Sequence, residues 1–224
     1  MLSRVKVSFA RVTADDREAV LSILRGAPEL SHVDINATFD RWLREGYFIK
    51  AVDSDNRIVG VLHARQLEDA VWMEGIGVSS DIRRKGVGRQ LAAYVMELTG
   101  GKVFRVMASE RNVPSNALAL SLGFKEVDRV YFSDGARVTA PELARRLGLD
   151  EAKDVSLEGP GYVDSWTWRP IEYYRGRVFS NGQVKVLDTD PPFFVAGDAD
   201  GYMRFSRQRA AYSEAFIVYE LRRA

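Results

Sequence analysis

A mixed α/β fold is predicted for this 224-residue chain: a mostly antiparallel central sheet with flanking helices, plus a smaller β-rich C-terminal part. Three features predict it. Over the first 132 residues the elements read β, α, α, three strands, α, β, α, β. The three central strands follow one another through short polar connections, the pattern of an antiparallel meander. Beyond residue 133 helical periodicity nearly ends, and aromatic residues crowd into short strand-like runs.

Residues 5–11 alternate apolar Val5, Val7 and Phe9 with polar neighbours and read as a strand. Thr13 with Asp15 and Asp16 marks a helix start, since a hydroxyl cap and first-turn acids suit the positive helix end. Val20, Ile23 and Leu24 supply its apolar stripe. A second helix over 36–45 carries Phe39, Trp42 and Leu43. Residues 47–52 and 58–64 form a hairpin through Asp53-Ser54-Asp55-Asn56, and 72–78 is the third strand of the meander. A helix then places Val87, Leu91, Val95 and Leu98 on one face and ends at Gly100-Gly101. Strand 103–108, helix 114–122 and strand 124–132 complete the first part. Ser133-Asp134-Gly135 is the expected boundary between a domain over 1–132 and an extension over 133–224.

Composition narrows the functional classes. With 46% hydrophobic and 28% charged residues, the chain has a folded protein's balance. A net charge of +1 gives no electrostatic reason to expect a nucleic-acid partner. No apolar run is long enough for a membrane span. The charged start, with Arg4, Lys6 and Arg11, lacks the apolar core of a leader, so a cytoplasmic location is expected. Cysteine is absent, which removes disulfides and thiolate chemistry, and two histidines (His32 and His63) are too few for most metal sites. No metal is expected.

The most informative segment is Val78-Ser79-Ser80-Asp81-Ile82-Arg83-Arg84-Lys85-Gly86-Val87-Gly88-Arg89. It lies between a strand and a helix, where unpaired amides and the helix dipole favour an anion. Gly86 and Gly88 let the backbone approach that anion, and Arg83, Arg84, Lys85 and Arg89 add charge. A diphosphate fits. A P-loop would need Gly-Lys-Ser/Thr, and a dinucleotide fingerprint would need glycine where Leu91 stands.

The turn resembles the Arg/Gln-x-x-Gly-x-Gly/Ala signature of the GNAT acetyltransferase superfamily, with Arg83, Gly86 and Gly88 in its key places. Ile76-Gly77-Val78 looks like that family's cofactor strand. Asn112-Val113-Pro114-Ser115, followed by Leu122-Gly123-Phe124, is similar to its second motif. The resemblance covers residues 5–132. It implies a GNAT-like sheet in which strands 72–78 and 103–108 splay, and acetyl-CoA as the acyl-donor cosubstrate. Pantetheine would pair with the main chain of Ile76 and Val78 beside Gly77, and the diphosphate would sit on residues 83–89, Val87 included. Asn112 would bond the pantetheine arm. Ser115 is placed on the cofactor side as a helix-terminus residue rather than a nucleophile.

The implied reaction is N-acetyl transfer to a primary amine by direct attack in a ternary complex. It needs a neutral amine, a stabilised oxyanion and a proton for the departing thiolate. Similar proteins often donate that proton from a tyrosine five residues before the Gly-Phe phenylalanine, and Ala119 stands there. Glu74, counted on the same side of its strand as Ile76 and Val78, is the candidate base; Tyr131 is the candidate acid. His63 reads as structural, and Trp72 and Tyr47 as acceptor-pocket or core residues. The loss at Ala119 motivates a second reading, a non-catalytic acyl-CoA-binding sensor or interaction protein. The expected partner is an amine-bearing small molecule or protein.

Residues 133–224 are too few to repeat the first part. Residues 138–149 look like the first half of a helix-turn-helix, but Gly159-Pro160-Gly161 arrives before a recognition helix could form. The extension is expected to cover the acceptor side, with Tyr173 and Tyr174 as the first hydroxyl candidates, or else to form a homodimer contact.

Overall fold

The structure, a computed structural model, describes residues 5–26, 34–153 and 155–223; His32 lies outside them. The chain forms two compact units, one of residues 1–106, 114–125 and 220–224, the other of residues 107–113 and 126–219.

In the first unit β1 (Ser8–Arg11), β2 (Tyr47–Val52), β3 (Ile58–Gln66) and β4 (Val71–Val78) pair as successive antiparallel neighbours. β5 (Val103–Ser109) begins in this unit and runs parallel to β4. The last residues of the chain's final strand (Glu214–Arg222) lie beside it.

α1 (Arg17–Arg25) buries Val20, Leu21, Ile23 and Leu24. Ahead of it, the Thr13 amide and hydroxyl donate to Asp16 Oδ2 at 2.7 and 3.0 Å, and Lys50 Nζ lies 2.6 Å from the same carboxylate. Burial works to raise the Asp16 carboxyl, but the Lys50 and Thr13 bonds outweigh it and hold the group below its ordinary range. That contribution is complete above the ordinary carboxylate pKa, about 4, and is lost as pH falls through the lowered value. Asp16→Asn is therefore expected to lower the thermal midpoint at neutral pH and to change it little toward about pH 2, read from melts across that range.

α2 (Ile35–Arg44) is capped by Asp34, whose carboxylate accepts from the Asn36 and Ala37 amides at 3.0 and 3.1 Å. It buries Phe39 and Trp42 against Phe48 and Val61. α3 (Val87–Thr99) buries Val87, Leu91, Ala92, Val95 and Met96. Leu98 continues the predicted stripe in sequence, yet in the last turn of the helix it is 42% exposed. α4 (Val113–Ser121) carries Ala119 as a buried residue.

In the second unit β6 (Lys125–Ser133) is followed by α5 (Ala140–Leu147), β7 (Asp150–Ala152), the β8–β9 hairpin (Gly161–Asp164, Thr167–Pro170), β10 (Val178–Ser180), β11 (Lys185–Leu187), β12 (Phe193–Ala196), β13 (Arg204–Ser206) and β14, the strand Glu214–Arg222. Its sheet runs β14-β6-β13-β12-β11-β10-β7. α5 packs Leu143 and Ala144 against Phe179, Val186 and Phe194. Gly148, left-handed at φ 65°, ends α5, and the chain enters β7 directly, so no recognition helix follows. Phe132, Trp166, Phe205 and Phe216 form an aromatic cluster.

Candidate active site

β4 organises the first unit's chemistry. Its ladder to β5 consists of Val71–Phe104 and Trp72–Arg105, and residues 73–78 lie beyond it. On the β3 side, Val61 pairs with Gly77 and His63 with Glu74. Leu62 thus faces two residues, Gly75 and Ile76. This is a β-bulge, and Gly75 takes the left-handed φ of 62° that the first bulge position demands. Any Cβ there would meet Trp42 Cη2 at 2.0 Å.

The bulge reverses the strand's alternation and corrects the predicted parity of Glu74. Ile76 and Val78 point toward α3: Ile76 Cδ1 and Val78 Cγ2 each stand 3.6 Å from where a Gly88 Cβ would be. Glu74 points with His63 toward the opposite face, where α1 and α2 pack.

There Glu74 is half-buried and tightly held. Its Oε1 lies 2.9 Å from His63 Nδ1, its Oε2 accepts from Trp72 Nε1 at 3.3 Å, and Arg65 Nε is 3.8 Å away. Burial pushes this carboxyl up, but the His63 bond, with the charges of His63, Arg65 and Arg41, more than compensates and leaves it below the ordinary range. His63 is fully buried, stacked on Trp42 at 4.9 Å with the rings 10° apart, and its Nε2 is 2.7 Å from the Glu45 carbonyl oxygen. Trp72 is a core residue, whereas Tyr47 is half-buried beneath the Arg11 guanidinium.

The basic turn lies on the other face, between Val78 and α3. Gly86 is left-handed at φ 83°, and no atom lies within 4 Å of its Cβ position; Gly88 is not left-handed. Gly86 thus needs glycine for its backbone angle, and Gly88 does not. The first intrahelical bond of α3 runs from the Gln90 amide to the Gly86 carbonyl at 3.1 Å, so the amides of residues 87–89 precede the helical ladder. Arg83 bends back, Nε to the Val78 carbonyl at 3.1 Å and Nη2 to the Gly26 carbonyl at 2.9 Å. Arg89 Nη1 donates to the Ser121 carbonyl at 2.9 Å, and Arg84 and Lys85 are exposed.

Ser115 is in the first turn of α4 in the first unit. Asn112 belongs to the second unit, its amide bonded to the Ser109 carbonyl at 3.0 Å. Tyr131, also in the second unit, is half-buried on β6 opposite Ser206. Tyr174 has a committed hydroxyl, which donates to the Arg177 carbonyl at 2.5 Å and accepts from the Asp188 amide at 2.8 Å; burial raises its pKa further. Among the described residues no cluster of three His, Asp or Glu side chains is placed to hold a metal, and no helix is long and apolar enough to cross a membrane.

The first unit is thus an α/β domain in which a bulged strand leaves its parallel neighbour, with a basic helix terminus on one face and a paired carboxylate on the other. Residues 17–124 match the family profile described as Acetyltransferase (GNAT) family, so this part of the chain is similar to a GNAT acetyltransferase domain. Over 65 residues it is 40% identical to the aminoglycoside N(6′)-acetyltransferase type 1 of Salmonella typhimurium and to that of Salmonella enteritidis. These matches take in 28% of this chain and 45% of each relative, so the chain spans less than half the length of the curated relatives it matches. A crystal structure of a Thermoplasma acidophilum protein, provisionally assigned as an acetyltransferase, superimposes with a TM-score of 0.67 at 15% identity. It covers 96% of this chain and 100% of its own, a likeness of fold that includes the C-terminal β part.

Proposed function

We propose that this chain transfers an acetyl group from acetyl-CoA to a primary amine by direct attack within a ternary complex. The observation that carries the reading is β4: it stops pairing with β5 after Trp72 and bulges at Gly75, which leaves one edge of its main chain without a β5 ladder. That edge offers backbone donors and acceptors to an amide-containing arm, as pantetheine is, and amides to a developing oxyanion. The residues fit the donor. Gly86 opens space at the head of α3, the amides of residues 87–89 suit a diphosphate, and Arg84 and Lys85 supply charge. Arg83, bonded to two carbonyls, serves by holding the turn in shape. Glu74, on the opposite face, receives the acceptor's proton.

The acceptor is a primary amine on a small molecule or a protein, and the aminoglycoside amine named for the Salmonella relatives belongs in the first panel tested. One observation favours a second reading, a non-catalytic acyl-CoA sensor: Ala119, buried at 5% exposure, brings no hydroxyl where relatives often carry tyrosine.

The cofactor assignment has a direct test. Arg84→Glu with Lys85→Glu alters two exposed side chains, so the fold should persist while acetyl-CoA affinity falls by at least about tenfold. Calorimetric titration measures it. An unchanged affinity in the folded variant would remove this turn from the site.

A further inference from the structure

Both ring nitrogens of His63 face acceptor oxygens. The Glu45 carbonyl can only accept, so at 2.7 Å it fixes a hydrogen on His63 Nε2. The opposite nitrogen, Nδ1, lies 2.9 Å from a carboxylate oxygen. Two lone pairs facing each other at that distance would repel, so a second proton sits on this contact, shared between ring and carboxylate. The groups packed around the pair decide where that proton rests. Arg65 on β3 and Arg41 on α2 favour the ionised carboxylate, and Trp72 Nε1 donates to its other oxygen, so the proton rests on the imidazole side. Trp42 stacks its face on the imidazole, a favourable setting for a ring that carries charge, and the Phe48 ring stands at 85° to it with centroids 6.0 Å apart. The bulge at Gly75 sets this register, because it brings Glu74 opposite His63 and lets Trp42 approach the strand.

We propose that His63 and Glu74 act as one proton-carrying pair in the transfer, with Glu74 touching the acceptor amine and His63 as the positioning residue on which the proton comes to rest. This rests on the reading of Glu74 as the group that meets the amine. The unloaded pair accepts the proton: the amine N–H breaks, its electrons remain on nitrogen as the C–N bond forms, and the proton settles between Glu74 and His63 Nδ1. The C–S electrons leave on sulfur, the thiolate takes a proton from water, and the pair returns its own to water. The arrangement in the structure is the loaded form. Burial of His63 forces the proton's traffic through Glu74, since the ring is fully enclosed while the carboxylate keeps 17% of its side-chain surface.

The pair makes the acidic limb of kcat/KM a property of two groups rather than of one carboxylate. His63→Gln should move that limb by at least about one pH unit, because the carboxylate then loads alone, without the imidazole bond and charge that hold it low. The plateau should fall by roughly tenfold or more. The assay is CoA release with the fastest amine of the panel, measured from about pH 5 to 9. In the wild type, ¹⁵N-histidine NMR should show the buried ring gaining its second proton with the midpoint of the kinetic limb, a readout that survives if the variant does not fold. An NMR midpoint away from the limb overturns the pair, as does a folded His63→Gln enzyme whose limb stays in place. Glu74→Gln separates the two levels: if that variant keeps a kcat within about threefold, the reading of Glu74 itself fails and the pair falls with it. If it is inactive while the His63→Gln limb does not move, only the pair is wrong.

Discussion

Glu74→Gln should lower kcat by roughly 10²-fold or more and remove the acidic limb assigned to this position, while acetyl-CoA affinity barely changes. Glutamine keeps the shape of the side chain and one oxygen that can accept from either His63 Nδ1 or Trp72 Nε1, which the native carboxylate meets with separate oxygens. What it loses is the capacity to take a proton. The basic turn proposed for acetyl-CoA lies on the other face of β4, so the donor should bind as before. The expected signature is thus a loss in kcat with little change in donor binding, read from steady-state rates and calorimetry. A kcat within about threefold of the parent would assign deprotonation to water.

The largest effect on stability is expected at Arg105. Its side chain is nearly buried, with the residue 2% exposed, and lies between Asp69 Oδ2 at 2.6 Å and Glu220 Oε2 at 2.7 Å. Arg222 Nε reaches the other oxygen of Glu220 at 2.7 Å. Burial alone would favour a neutral guanidinium, yet the two carboxylates override it and hold Arg105 more firmly charged than usual. The cluster ties the β3–β4 connection, β5 and the end of β14 together within the first unit. Arg105→Leu leaves two poorly solvated carboxylates facing a hydrocarbon, at a cost of about 3–5 kcal/mol. In urea the midpoint should fall with an unchanged slope. Arg105→Lys should recover part of the loss, because lysine restores charge but not the guanidinium's two-sided reach. A change under about 1 kcal/mol for Arg105→Leu would mean that the carboxylates find other partners at no cost.

The first unit was largely legible in the sequence, because long elements carry their own periodicity. The stripes of α1 and α3, the Asp53–Asn56 hairpin turn and the Gly100 helix stop each follow from local rules that the tertiary structure obeys. The basic turn was legible for the same reason, as a charged glycine segment between a strand and a helix. The orientation of Glu74 was not. Counting every second residue assumes an unbroken pleat, and one bulge inverts the count for all residues beyond it. Glycine stands at both 75 and 77 in β4, and the sequence does not say which of them takes the bulge. The His63–Glu74 contact was hidden for a related reason: it depends on the β3–β4 register, which two pattern-matched strands leave open. Charge alone also failed to show that Arg83 turns back onto backbone carbonyls. In the second unit, β7, β10, β11 and β13 have three residues each, too short to display any period. Their aromatic content signalled strands without giving their order.

The most direct test of the central claim is a product assay. The protein is incubated with acetyl-CoA labelled in its acetyl group and a panel comprising an aminoglycoside, a polyamine, lysine and a peptide with a free N-terminus. Free CoA and labelled product are then measured together. The predicted result is CoA release that depends on one amine of the panel and matches the label found on that amine's nitrogen. Acetyl-CoA that binds but yields no N-acetylated product with any of these amines would contradict the account and support an acyl-CoA sensor.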